Sequence, residues 1–100
     1  MSKVLIERRL MDVAQRLRRA REELAVIEDQ LAVLSDAADE ARIRSLVSET
    51  SLAHREYTEA QRHVDAMGRS RQMVSADVME LQATQDELLD RLISSDGPKS

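Results

Sequence analysis

Cysteine, tryptophan and phenylalanine are absent from this sequence, which holds one tyrosine (Tyr57), two glycines and one proline in 100 residues. Without cysteine there is no disulfide framework, no thiolate-ligated zinc and no thiol nucleophile. Without large aromatics, a compact globule of this size lacks the side chains that usually fill its centre. No uninterrupted apolar run reaches signal-peptide or membrane-spanning length, and Lys3, Glu7, Arg8 and Arg9 break up the first ten residues. The expectation is a soluble, single-domain chain, cytoplasmic by default, with no membrane contact.

What is present is 42% hydrophobic and 34% charged, rich in Leu, Ala, Arg, Glu and Gln. That composition describes helices that bury a long, thin seam. The net charge of −4 conceals blocks of opposite sign. Residues 1–21 carry seven basic side chains against Glu7 and Asp12, whereas residues 22–40 carry seven acidic ones and no basic residue. Such blocks suit helices that lie beside one another in one arrangement.

Apolar residues recur at Ile6, Leu10, Val13, Leu17, Ala20, Leu24, Ile27, Leu31 and Leu34, alternating four and three apart. This is the seam of a left-handed coiled coil, and a helix over about 3–34 would be roughly 50 Å long. A second run follows at Ile43, Leu46, Thr50, Ala53, Tyr57, Ala60, Val64 and Met67. Turning the chain at 35–39 pairs the two runs layer for layer, from Leu31 with Ile43 to Ile6 with Met67. Helix 2 then spans about 39–67, and Ser35 or Asp36 can cap its start while Asp39 and Glu40 favour its dipole.

A third segment, about 70–95, carries Val74, Val78, Leu81, Gln85, Leu88 and Leu92 in the same phase, widened by Met73, Met79, Leu89 and Ile93. Either it continues helix 2 or it folds back at Gly68 to complete a three-helix bundle; a glycine costs about 1 kcal/mol within a helix. The continuous form would leave the stripe exposed, for burial in a homodimer. Residues 96–100 read as a disordered polar tail. The fold class is all-α, a long antiparallel coiled-coil hairpin with this third segment in one of its two forms.

The turn expected at 35–39 contains Asp36-Ala37-Ala38-Asp39-Glu40-Ala41, of the form Asp-x-x-Asp-x-Ala. At the end of a hairpin, this run resembles the coiled-coil tip of the DksA family of transcription factors, whose architecture the Gre cleavage factors share. The resemblance covers the two arms and six tip residues; the zinc finger and globular body of those families have no counterpart here. It implies a regulator that enters the secondary channel of bacterial RNA polymerase, with Asp36, Asp39, Glu40 and Ala41 as the partner-binding tip. The competing reading makes the two aspartates helix caps only.

The rival function is a structural adaptor or helical chaperone that oligomerises, or binds partner helices, through Val74, Val78, Leu81, Leu88 and Leu92. Arg8, Arg9, Arg16, Arg18, Arg19 and Arg21 stay inside the seam-bearing helix, so a salt-bridging face is expected there rather than direct nucleic-acid contact. His54 and His63 stand nine residues apart with no third ligand at metal spacing. No catalytic set, phosphate loop or metal motif is legible, so neither enzymatic activity nor a metal or other cofactor is expected.

Overall fold

The structure, a computed structural model, describes residues 2–96. It is all-helical: α1 spans Lys3–Ser48, α2 spans Ser51–Asp96, and only Glu49 and Thr50 separate them. The topology is a helical hairpin, as the heptads require. Its turn, however, lies well beyond the expected position. Among the expected tail residues Asp96 ends α2, and 97–100 lie outside the described residues.

The chain divides into two compact units. The first joins Met1–Glu23 to Val74–Ser100, and the second is Leu24–Met73. In the first unit, Ile6, Val13 and Leu88 form a buried cluster, with Leu10, Leu81 and Leu92 packed against it. Val74 and Val78, 8% and 9% exposed, belong to the same stripe of α2. The pairing of Ile6 with Met67 is therefore overturned. The first half of α1 covers the 74–92 stripe within one chain, because the turn comes late enough for α1 to reach it.

The second unit contains the turn, and toward the turn its seam passes from Ile27, Leu31 and Leu34 to smaller residues. Ala38, Ala41 and Ala53 are buried, at 4%, 3% and 9% exposure, while Tyr57, Ala60, Val64 and Met67 are half-buried. A two-residue turn sets Ser45 level with Ala53, Ala41 with Tyr57, Ala38 with Ala60 and Leu34 with Val64. In the Ser45–Ala53 and Ala38–Ala60 layers both side chains are small, which leaves room for the backbones to approach, since interaxial distance follows the size of the contact residues. Ile43 and Leu46, expected in the seam, are 55% and 65% exposed.

Why α1 runs through 35–40 is clear from its seam. After Leu34 the same alternation continues at Ala38, Ala41 and Ser45, so the repeat changes side-chain size without losing phase. Nothing between Ser35 and Ser48 is a glycine or proline that would end a helix. The end comes at Glu49, which adopts the left-handed conformation with φ 52°. Thr50 then caps α2: its Oγ1 accepts a hydrogen bond from the Ala53 N–H at 3.1 Å. Ser2 does the same for α1, accepting from the Leu5 N–H at 3.3 Å.

Gly68 breaks nothing. Of the two forms expected for the third segment, α2 adopts the continuous one, because Val64, Met67, Arg71 and Val74 keep the heptad running across the glycine. A Cβ added at Gly68 would meet no atom within 4 Å. Gly68→Ala is therefore expected to stabilise the chain by about 0.5–1 kcal/mol, through helix propensity and a less flexible unfolded chain. Thermal unfolding followed by circular dichroism at fixed concentration should show a midpoint several degrees higher; an unchanged or lower midpoint would mean that the glycine is needed for close packing.

Candidate interaction surface

The Asp36–Ala41 run forms no tip. It sits within α1, with Asp36, Asp39 and Glu40 exposed and Ala41 3% exposed in the seam. Among the described residues the side chains of Asp36, Asp39 and Glu40 make no hydrogen bond or ion pair, and none of them caps a helix. The aspartates project from the helix wall while the alanine faces the partner helix, so the motif's residues are split between two surfaces. The expected partner or dimer stripe is likewise interior: Val74, Val78 and Leu88 are buried, and Leu81 and Leu92 are half-buried.

The end of the hairpin is apolar instead. Around Glu49 and Thr50 stand Ile43, Leu46, Val47 and Leu52, each more than half exposed. Val26, Val33 and Met73 are exposed further along the second unit, at 55%, 68% and 70%. An open groove of about 380 Å³ runs past Val33, between Asp29, Gln30, Leu34 and Met67. In the first unit Val4, Leu5, Met11, Met79, Leu89 and Ile93 are exposed. Altogether thirteen large apolar side chains are exposed among the described residues, against ten buried hydrophobic ones.

Charge follows the heptad as closely as the apolar residues do. Asp29 and Asp36 lie midway between consecutive seam residues of α1, so they point away from α2. Arg55, Arg62 and Arg69 do the same on α2, at intervals of seven. None of these five makes an ion pair or side-chain hydrogen bond among the described residues. Two ion pairs run along single helices, Arg16 with Asp12 at 3.2 Å and Arg91 with Glu87 at 2.7 Å. Such exposed pairs contribute little to stability.

The basic residues of α1 contribute to an open groove of about 480 Å³ in the first unit, where Arg9, Asp12 and Arg16 face Asp77, Glu80 and Thr84. His54 and His63 are exposed, and His63 borders a groove with Glu59, Arg62 and Arg69. Among the described residues no three His, Asp or Glu side chains are grouped to hold a metal ion, and no helix is long and apolar enough to cross a membrane. The surface that sequence reasoning missed is the outer one, marked by Asp29, Asp36, Arg55, Arg62 and Arg69. Its signal was a repeat of seven at the positions farthest from the seam. No family model, curated protein or solved structure matches the chain.

Proposed function

We propose that this chain is a non-enzymatic helical interaction module, an adaptor whose outward-facing apolar side chains bind other helices, in a cytoplasmic setting. The observation that carries this reading is the excess of exposed large apolar residues over buried ones. A chain of 11.3 kDa exposes 7589 Å² here, whereas a compact monomer of that mass exposes about 5,700 Å². Two helices share only one seam, so each leaves most of its circumference open to a further layer. Exposed large apolar side chains in this number are what a partner would cover.

Delivery of an acidic tip to RNA polymerase required Asp36 and Asp39 at a hairpin end. They lie thirteen and ten residues before Glu49, inside α1, and that reading loses the placement that motivated it. The adaptor reading survives with a different surface, since the 74–92 stripe is occupied by α1.

Photo-crosslinking in cells tests it. A crosslinker placed at Val33 or Leu46 is expected to capture protein, while one at the exposed Gln15 should remain near background. Equal, background-level yields at all three positions would defeat the reading.

A further inference from the structure

The geometry points to a second copy of this chain as the occupant of the outer surface. In that arrangement the outer side of α1 in one copy lies against the outer side of α2 in the next, with both turns at the same end. This rests on the reading of the chain as an interaction module and names its partner. All the residues that form this surface lie in the second unit, Leu24–Met73.

Height above the turn supplies the first observation. Asp36 lies thirteen residues before Glu49 and Arg62 twelve after Thr50; Asp29 and Arg69 lie twenty and nineteen away. Within one copy these side chains face opposite ways, so they cannot meet. Between neighbouring copies set side by side, each aspartate comes level with an arginine to within one residue, about 1.5 Å of helix rise. All four are without an ion partner in their own chain, among the described residues.

A row of apolar residues on one flank gives the second. Val47, Val33 and Val26 each precede a seam position of α1, and Leu52, Ala66 and Met73 each precede one of α2. Counted from the turn, Val47 is level with Leu52, Val33 with Ala66 and Val26 with Met73. Side-by-side copies in the same direction thus join three apolar pairs beside two opposite-charge pairs. Glu40 meets Glu59 in this row, a like-charge contact near the rim that costs some affinity. Reversing one copy while keeping two charge pairs, Asp29 with Arg62 and Asp36 with Arg69, brings Val33 beside Asp65 instead, which favours the common direction.

The interface is heterologous: it uses different faces on its two sides, so each added copy offers a fresh one. Such contacts give rings or open arrays rather than closed two-fold dimers. Charge pairing sets direction and level, and the apolar row supplies the burial.

Sedimentation of the purified chain over a range of concentrations and salt tests this, with two charge-reversed variants. Wild type is expected to associate beyond a dimer at low salt and to dissociate as salt rises. Asp29→Lys/Asp36→Lys and Arg62→Glu/Arg69→Glu should each weaken association roughly tenfold or more at low salt. Mixed together, the two variants should assemble again, since each repairs the other's mismatch. All four positions are exposed, and unchanged helicity by circular dichroism confirms the fold of each variant. A monomer at every concentration overturns the inference, as does a closed dimer indifferent to both charge reversals. Crosslinking of Val33 to other proteins by a monomeric chain would leave the module reading standing and defeat self-association alone.

Discussion

Leu88→Ala is expected to destabilise the hairpin by about 2–4 kcal/mol, a large share of the roughly 5–15 kcal/mol that holds a domain of this size folded. Leu88 is 2% exposed and packs with Ile6 and Val13 from the far end of the sequence. Truncation removes three heavy atoms' worth of apolar burial and leaves a void that the neighbouring helix fills only in part. With one core layer, water reaches part of that void, so the cost stays below the extreme seen in thick globular cores. The neighbouring substitution Leu89→Ala removes the same atoms from a side chain 41% exposed, and its effect should be under about 1 kcal/mol. Urea or thermal unfolding of both variants, at one concentration because association adds apparent stability, checks the contrast. Had the 74–92 stripe been a free dimer surface, Leu88→Ala would weaken association and leave the fold of the single chain nearly as stable as before.

The heptads made the helices legible, and the seam residues Ile6 to Leu34 and Ala53 to Leu92 keep in the structure the phase they show in sequence. The turn was illegible for a specific reason. A coiled-coil seam is recognised by large apolar residues, and at Ala38, Ala41 and Ser45 the repeat continues in small ones. Ile43 and Leu46 stand out of phase beside them and draw the eye to a false seam. Shifting the turn by about a dozen residues then re-pairs every layer, which is how the stripe around Leu88 passed from exposed surface to core. Gly68 left two forms open for the third segment, and the continuous one prevails because one residue's propensity, about 1 kcal/mol, is small against the burial of seam residues on either side. The acidic run attracted notice because its spacing matched a functional tip. Its position relative to the helix end, which the sequence alone left open, decides whether those side chains can act together. The outward ladder of Asp29, Asp36, Arg55, Arg62 and Arg69 was present in the sequence throughout, but it acquires meaning only once the turn fixes which residues share a level.

Asp39→Pro separates the two possible turns directly. Within α1 the substitution removes the amide that would bond the carbonyl of Ser35, and the ring collides with that same carbonyl. The expected cost is about 3 kcal/mol or more. Asp39 is exposed and its side chain makes no hydrogen bond or ion pair among the described residues, so no side-chain packing or charge contact is lost with it. The break would uncouple Ala38 and Ala41 from the α2 residues level with them and weaken the whole turn-proximal layer. A marked loss of helical signal, or an unfolding midpoint lower by roughly 10–20 °C, is the expected result. Ser51→Pro supplies the comparison. Ser51 is the first residue of α2, where proline's fixed φ suits the helix and the missing amide is not part of the helical ladder. Its preceding residue, Thr50, is the cap and already lies outside the helix, as the residue before a proline prefers. That variant should keep its helicity and shift the midpoint by only a few degrees. The reverse pattern, tolerance at 39 and collapse at 51, would put the turn back at 35–39 and restore the acidic run to the end of the hairpin. Because both substitutions fall on exposed side chains, the difference between them reports the backbone alone.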